Sequence, residues 1–393
     1  MSKSSRFFFQ AWRPTLAVLA LALITYVLYF HNIRHLLPGY AGAELQTYHS
    51  AANWHTIWHD PINLPYKALI WLAVALGHHS ILITRIVAAS FGVIGVLVFF
   101  LIARQWYGFR TAFLGTVLFA SSAGFLHLAR LGSPQILQLS ILAILGLLLW
   151  YLRAKRPLAG YVLVVLCALL WYVPGMIWFE FFGLVLLRAG VIRRLKQADT
   201  RHQAAWVVLF LALIAPLVIA SIHNSQVALQ AIGLPTDLGT LKHAASNLAD
   251  TLLGIGVYGH ADALVRVGHT PLLNAIELIL AAAGVYYYAW RDRSLRMVFL
   301  AGASIISLVL IALGGLVTYA VLLPLLYLFV ACGLNHLLGQ WLAVFPRNPV
   351  ARAAGIAVIC TMLFFSVLYQ TRSYFVAWPH NGATRQTFSH QQP

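Results

Sequence analysis

Long apolar segments alternate with short polar or basic connections along almost the whole chain. Apolar runs of about 20 residues have the length that a membrane-spanning helix needs. Together with the basic residues that flank them, these runs predict about eleven spans. The predicted spans are residues 14–31, 80–103, 111–128, 135–152, 158–173, 175–189, 203–222, 271–290, 296–313, 316–337 and 353–370. The pattern therefore predicts an all-α, polytopic helix bundle that forms one domain over residues 1–393.

Composition agrees with this class, because 61% of the 393 residues are hydrophobic and only 9% are charged. A net charge of +17 would indicate a nucleic-acid partner in a soluble protein. Here Lys and Arg cluster in short loops, where they fix the topology and meet anionic headgroups. No basic run is interleaved with exposed aromatic residues, so nucleic acid is excluded as a partner. The cysteines are predicted to be packing residues inside spans: Cys167, Cys332 and Cys360.

The orientation depends on residues 64–77, an apolar segment that is too short to span comfortably. Runs of about 10–14 residues are more often interfacial or re-entrant, so this one is predicted to be a juxtamembrane helix. On that basis 18 of the 26 basic residues face the cytoplasm, which predicts an internal N-terminus and an external C-terminus. The 18 are Lys3, Arg6, Arg13, Arg104, Arg110, Arg153, Lys155, Arg156, Arg188, Arg193, Arg194, Lys196, Arg201, Arg291, Arg293, Arg296, Arg347 and Arg352.

The first apolar run has the basic flank of a signal peptide. It ends in YVLYFHN without a small-residue cleavage site, so we interpret it as an uncleaved first helix in the plasma (inner) membrane. The predicted outer segments are the loops 32–79 and 223–270 and a polar tail, 371–393. In addition, the VPG sequence at 173–175 divides an apolar stretch into two short spans that form a hairpin.

Acidic residues are rare and collect on the predicted outer face. Only Asp199 and Asp292 face the cytoplasm, whereas Glu180 and Glu277 fall in the outer halves of helices. Carboxylates are costly near hydrocarbon, so their collection on one face predicts chemistry or binding there. For the two in helices, a buried hydrogen bond and a cavity-lining role are both open. The acids in outer loops are Glu44, Asp60, Asp237, Asp250 and Asp262.

The first outer loop is predicted to form a roof at the membrane surface. Residues 44–58 (ELQTYHSAANWHTIW) suit an amphipathic helix in the headgroup plane. Two prolines in DPINLPYKALIWL then fix an extended entry into the short helix. A simple lid is the alternative, with Glu44 as a favourable charge at a helix N-terminus. Arg85 and Arg130 favour a functional site, because the positive-inside rule gives no reason for outer arginines.

A metal site is weakly indicated in the same loop. His55, His59 and Asp60 have a metal-like spacing, but no third firm ligand and no HExxH pattern is present. Interfacial histidines are commonly polar groups at the headgroup level. We therefore assign no metal ligand and leave a requirement for a divalent metal open.

Several motifs follow one another in an informative order. Glu44 stands early in the first outer loop, in GYAGAELQTY, and the proline-rich entry to the short helix follows. Arg85 opens the next span, with Gly92 seven residues later in TRIVAASFG. An outer arginine, Arg130 in RLGSPQIL, comes after the following hairpin. Near the end, TYAVLLPLLYLF opens a late span with Tyr319.

This order resembles the class C glycosyltransferases, in particular the lipid-linked aminoarabinose transferase and protein O-mannosyltransferase group. The resemblance is strongest over residues 39–152. Three positions depart from the family pattern. Ala43 replaces the first acid of an Asp-Glu pair, Gln135 stands where an acid follows the outer arginine, and Thr318 replaces an arginine before the late tyrosine.

The resemblance implies inverting transfer of a hexosyl- or pentosyl-type sugar from a polyprenyl-phosphate-linked donor on the outer face. The acceptor would be a lipid, glycan or protein. One carboxylate must take the acceptor proton, and Glu44 is the first expectation, with Asp60 second. The alternative for Asp60 is turn capping before Pro61. The lipid phosphate calls for cationic donors, for which Lys67, Arg85, Arg130 and, more weakly, Arg266 are the candidates. Gln135 and Tyr319 are weaker candidates for substrate binding.

Two other functions remain open. A transporter or flippase of a lipid-linked glycan would spread polar residues through the spans, whereas this chain concentrates them outside. A catalytically inactive scaffold relative would explain the departures at Ala43, Gln135 and Thr318. Interfacial snorkelling is the alternative role for each outer cation.

Overall fold

A computed structural model describes residues 3–154, 157–237, 240–259, 262, 264 and 266–390. Lys155 and Arg156, both predicted to face the cytoplasm, lie outside the described residues. The described chain is all-α, and it contains no β-strand beyond one isolated bridge. Its α-helices are α1 Lys3–Phe30, α2 Gly42–Ala52, α3 Trp54–His59, α4 Leu64–Ala75, α5 Leu82–Tyr107, α6 Phe109–Ser121, α7 Ala123–Arg130, α8 Ile141–Arg153, α9 Leu158–Leu170, α10 Met176–Leu186, α11 Arg188–Lys196, α12 Thr200–His223, α13 Ser225–Ala231, α14 Ala244–Gly256, α15 Ala275–Trp290, α16 Leu295–Ala312, α17 Leu323–Val344, α18 Pro349–Arg372, α19 Trp378–His380 and α20 Gly382–Thr387.

Three shorter helical turns complete the described elements. Two are 3-10 turns, Pro134–Ser140 and Thr240–His243, and the third is a π-helical turn, Ser373–Ala377. The first of these leads directly into α8. The π-helical turn follows α18, so the chain continues as helix beyond the last predicted span.

Each of the eleven predicted spans contains helix, but the helices differ in length. Six are long and apolar enough to cross a membrane, and a seventh candidate is α6 with α7, which are bent by 63° at Ser122. Ser122 explains the bend, because its backbone is extended and its side chain caps α7 at the N–H of Phe125. The remaining predicted spans coincide with shorter apolar helical segments, such as Val18–Phe30 within α1, so the number of eleven crossings stays a prediction. The all-α bundle itself is confirmed.

The basic connections gather at one end of the bundle, here called the basic end. There the Arg296 guanidinium donates to the carbonyl of Trp106 at 2.8 Å. The hydroxyls of Tyr107 and Tyr288 lie 2.7 Å apart, which joins α5 to α15. Such contacts tie the ends of α5, α15 and α16 together beside the arginine-rich loops.

The loops predicted to be external meet at the opposite end, here called the loop end. The N–H of Asn63 donates to the carbonyl of Tyr172 at 2.7 Å, which joins the first outer loop to the α9–α10 turn. The N–H of Gly175 donates to Ala231 at 2.9 Å. Gly175 has a φ of 77°, the left-handed conformation that the VPG turn requires.

Close helix packing in the middle of the bundle depends on two glycines. A Cβ added to Gly284 of α15 would lie 2.0 Å from the Phe329 carbonyl oxygen of α17. A Cβ added to Gly333 would lie 1.9 Å from the Leu280 carbonyl oxygen. Small residues at a helix interface allow the two backbones to approach closely, which is a usual device in membrane proteins.

The segment predicted as a polar outer tail is packed against the first outer loop. Tyr40 and His390 exchange two backbone hydrogen bonds, of 2.8 and 3.3 Å. Trp378 and Phe388 are buried, so the described part of the tail contributes to the core. The predicted outer loop 223–270 is also partly helical, since it contains α13 and α14.

Candidate functional site

Glu44 and Arg85 form a buried ion pair beneath the first outer loop. Glu44 stands in the first turn of α2, and Arg85 stands in the first turn of α5. The Arg85 Nε and Nη2 atoms donate to the two Glu44 carboxylate oxygens, each at 2.7 Å. Neither side chain is exposed by more than 2%. The bidentate geometry joins the predicted proton acceptor directly to a predicted phosphate ligand.

Two backbone groups complete the surroundings of the Glu44 carboxylate. The N–H of Ala41 donates to Oε2 at 3.0 Å, and the N–H of Gly132 donates to Oε1 at 2.9 Å. The carboxylate therefore accepts four hydrogen bonds and has no contact with solvent. Arg85 also donates to the carbonyl of Gly39 at 2.8 Å and lies over the ring of Tyr40. The pair thus holds α2, α5 and the turn before α2 together.

Arg130 ends α7 and supports the end of the first helix. Its Nη1 atom donates to the carbonyls of Leu28 and His31 at 2.7 and 2.9 Å. These carbonyls lie at the C-terminus of α1, where a cation is favoured. The guanidinium also lies 5.1 Å from the ring centre of Phe375. Within the described residues, its Nε and Nη2 atoms are buried without a hydrogen-bond partner.

Asp60 and Lys67 form a second ion pair, nearer the surface. Lys67 Nζ donates to Asp60 Oδ2 at 2.8 Å and to the Asp60 carbonyl at 2.7 Å. The Lys67 side chain is buried, whereas the Asp60 side chain is 50% exposed. Asp60 Oδ1 also accepts from the N–H of Ile62, so the turn-capping role predicted beside Pro61 is present.

The metal-like spacing of His55, His59 and Asp60 does not produce a ligand set. The two imidazoles face each other edge to face with centroids 4.6 Å apart, and Asp60 is already paired with Lys67. Among the described residues, no three His, Cys, Asp or Glu side chains are grouped to hold a metal ion. These three residues do not fit a metal centre.

The remaining predicted cation, Arg266, lines a cavity of about 340 Å³ at the loop end. The cavity also contains Tyr319, over whose ring the guanidinium lies at 5.8 Å. Burial lowers the pKa of the Arg266 guanidinium, and nearby Tyr319 and Asp262 partly oppose this shift. The full lining is Asn247, Asp250, Thr251, Arg266, Leu272, Ile311, Thr318 and Tyr319.

Gln138 fixes the loop that carries Thr318 and Tyr319. Its Oε1 atom accepts from the N–H and the hydroxyl of Thr318 at 2.9 and 3.0 Å, and its Nε2 atom donates to the Leu316 carbonyl. Gln135, predicted as a weak substrate ligand, is partly buried one turn away and is not among the cavity-lining residues. The buried amide that acts here is therefore Gln138, three residues further along.

The two acids in helices have local hydrogen-bond partners. Glu277 lies in the first turn of α15 and accepts from Gln370 Nε2 at 2.6 Å and from Ser366 Oγ at 3.1 Å. Glu180 accepts from Trp171 Nε1 at 2.9 Å. Both are buried. The buried hydrogen bond, one of the two roles left open for them, is the role that the structure shows.

The predicted site residues therefore meet in three separate places, and Arg130 lies near the first of them, where Tyr374 interacts with both Arg130 and Arg85. Glu44 meets Arg85, Asp60 meets Lys67, and Arg266 meets Tyr319. Sequence reasoning did not single out Asn247 or Thr251 and placed Asp250 only in an outer loop. The spacing of the three residues over one helical turn was a signal that they share a face of a helix.

Comparison with known proteins gives information on the fold. No protein-family model matches the chain, and no curated protein matches it in sequence. The crystal structure of ArnT from Cupriavidus metallidurans bound to undecaprenyl phosphate is similar over 96% of this chain and 76% of that one, with 15% identity and a TM-score of 0.50. ArnT in the apo state is similar over 97% and 77%, with 17% identity and a TM-score of 0.48.

ArnT is a lipid-linked aminoarabinose transferase with the class C glycosyltransferase fold. The likeness to its lipid-bound structure extends over nearly all of this chain. The predicted resemblance is thereby confirmed at the level of the fold. The chain has an ArnT-like, class C glycosyltransferase fold.

Proposed function

We propose that the chain is a membrane glycosyltransferase that uses a sugar donor linked to a polyprenyl phosphate. The observation that carries this proposal is the composition of the cavity at the loop end. It places a guanidinium, Arg266, beside the aromatic ring of Tyr319 and the apolar side chains of Leu272 and Ile311. A lipid phosphate needs this combination, because its headgroup is an anion and its chain is hydrocarbon.

The chemistry of Arg266 fits a phosphate better than it fits a neutral ligand. A guanidinium stays charged at neutral pH despite a lowered pKa, and its planar fork matches two phosphate oxygens. The structurally similar ArnT was crystallised with undecaprenyl phosphate, a ligand of the same class. In the proposed reaction this group leaves from the sugar, and Arg266 stabilises the charge that it acquires.

The other predicted residues have roles that support this site. The Glu44–Arg85 pair positions the first outer loop, and Arg130 holds the C-terminus of α1. The Asp60–Lys67 pair has an accessible carboxylate and lies at the same end. The predicted role of Glu44 or Asp60 as the proton acceptor stays a prediction. If Glu44 were the proton acceptor, one of the four hydrogen bonds that its carboxylate accepts would have to break first.

We place the active site on the outer face, with the basic end in the cytoplasm and a lipid, glycan or protein as the acceptor. The positive-inside distribution of Lys and Arg supports this orientation. The roof predicted for the loop 32–79 and the packed tail would then cover the external side of one transmembrane domain.

The test uses the full chain reconstituted in lipid nanodiscs. We expect binding of undecaprenyl phosphate but not of undecaprenol, which lacks the phosphate. Arg266→Ala should weaken binding by at least about tenfold, because a charge-assisted pair is lost. Arg266→Lys should have a smaller effect because it keeps the charge. Arg293→Ala, an exposed arginine at the basic end, is the matched control and should bind normally.

Turnover then distinguishes the proposed enzyme from the two alternatives. With polyprenyl-phosphate sugar donors, the enzyme releases polyprenyl phosphate and forms a new glycoside. Donor binding without sugar release by any donor and acceptor pair would instead indicate an inactive scaffold. Movement of intact donor between leaflets of proteoliposomes would indicate a flippase.

A further inference from the structure

We infer that Asp250 is the proton acceptor of the proposed transfer and that the acceptor hydroxyl binds beside it in the loop-end cavity. This inference rests on the proposed function. Its starting point is that an inverting transfer needs a carboxylate with a free oxygen that faces the substrate.

The other described acids at the loop end do not meet this requirement in the cavity. The Glu44 carboxylate is buried and accepts four hydrogen bonds, and Asp60 is paired with Lys67. Asp262 is exposed and lies near Arg266, but its Oδ1 atom accepts from the N–H of Leu264, and neither Asp262 nor Asp237 lines the cavity. Of the acids that the structure describes at this end, Asp250 is the one in the cavity lining.

Asp250 is held on a helix that is docked against the bundle. Asn247, one turn earlier in α14, donates to the carbonyl of Ala312 at the end of α16 at 3.2 Å. Beyond α14, the N–H groups of Leu272 and Leu273 donate to Gly254 and Ile255, each at 2.9 Å. The carboxylate of Asp250 is exposed, yet its backbone is fixed on both sides. A group that must meet a reacting hydroxyl benefits from this rigid placement.

Arg266 completes the arrangement from the following loop. A Cβ added to Gly254 would lie 3.3 Å from Arg266 Nη1, which shows how closely the guanidinium packs on the end of α14. The cavity therefore presents a cation and a carboxylate, and Asn247 and Thr251 also line it. The guanidinium suits the phosphate that leaves, and the carboxylate suits the hydroxyl that attacks.

The proposed step balances with these groups alone. The acceptor oxygen forms a bond to the anomeric carbon while the bond from that carbon to the phosphate oxygen breaks. The hydroxyl proton passes to an Asp250 carboxylate oxygen, and the bonding electron pair leaves with the polyprenyl phosphate at Arg266. The products are a glycoside of inverted configuration, the lipid phosphate and a protonated Asp250, which returns its proton to solvent.

The test compares Asp250→Asn with Asp237→Asn, a matched change of an exposed acid in the same outer loop that does not line the cavity. Asp250 is exposed, so its amide variant should fold and bind undecaprenyl phosphate as the parent does. Its turnover should fall at least ~100-fold, since general-base catalysis contributes factors of this size. Asp237→Asn should retain parental turnover.

The outcomes distinguish a failure of the role given to Asp250 from a failure of the proposed function. An Asp250→Asn protein that keeps more than about a third of parental turnover would overturn the role of Asp250 and leave the proposed function intact. An equal loss in Asp237→Asn would also overturn that role, since the effect would not depend on the cavity. A parent without turnover for any donor would overturn the proposed function, and the role of Asp250 would fall with it.

Discussion

Glu44 and Arg85, 41 residues apart in the sequence, are joined by two hydrogen bonds of 2.7 Å in a region closed to solvent. Each oxygen of the carboxylate accepts one bond from the guanidinium and one from a backbone N–H. The pair joins the start of α2 to the start of α5. A carboxylate in this state is part of the framework of the loop end.

The first prediction concerns the stability of this framework. Glu44→Ala should destabilise the protein by about 3–5 kcal/mol, because it leaves the buried charge of Arg85 without a partner. Thermal unfolding in detergent, followed by size-exclusion chromatography, measures the change. The double variant Glu44→Gln, Arg85→Met should recover part of the loss, since it removes both charges. Asp262→Asn is the control, and it should unfold as the parent does.

A substitution that keeps the shape of Glu44 distinguishes its structural role in the pair with Arg85 from a role as the catalytic base. For Glu44→Gln we expect turnover per folded molecule close to that of the parent, because Asp250 takes the proton in the proposed reaction. If Glu44 were the base, as first predicted from the sequence, this ratio would fall at least ~100-fold while the folded fraction changed little. Turnover must therefore be normalised to folded protein in the same sample.

The second prediction concerns Gly132, whose N–H supports Glu44. A Cβ at this position would lie 2.1 Å from Thr84 Oγ1 and 3.1 Å from Glu44 Oε1. Gly132→Ala should therefore cost about 1–3 kcal/mol, as overpacked cores do. Gly339→Ala is the matched control, because an added Cβ there meets nothing within 4 Å. Equal melting temperatures for the two variants would contradict the close packing around Glu44.

The third prediction concerns the topology. A reporter fused after Arg293 should be cytoplasmic, and one fused after Pro393 should be external, since the basic loops stay inside. The backbone bridge between Tyr40 and His390 requires the first outer loop and the tail to share one face. Because of this bridge, a cytoplasmic C-terminal reporter would place Tyr40 and the first outer loop in the cytoplasm as well, and the outer placement of the cavity would be wrong.

The helical architecture was largely accessible from the sequence because it depends on local properties. Apolar length predicted the long helices, and the VPG sequence predicted the turn at Gly175. The short segment 64–77 was correctly predicted as a helix, α4. Hydropathy gave no signal for the bend at Ser122, since capping interrupts the helix without changing its apolar character.

The candidate site was harder to predict from the sequence, because the residues that form its contacts are far apart in the chain. From the sequence, Glu44 and Arg85 were singled out separately, as a proton acceptor and a phosphate ligand. Their pairing depends on tertiary packing and on the backbone N–H of Gly132, a group that every residue except proline possesses. Asp250 likewise is set apart from the other acids of its outer loop by the position of α14 beside the cavity. Composition and spacing do not specify that position.

The bridge between Tyr40 and His390 has a consequence for biosynthesis. The ribosome makes residues 373–390 after all the apolar helices, yet Trp378 and Phe388 of that segment are buried. During synthesis the whole bundle is therefore inserted before the first outer loop can make its contacts with this segment. Completion of the loop end is in this sense a post-insertion event. A ribosome stalled within the last helices would leave an inserted bundle whose first loop lacks its final partner.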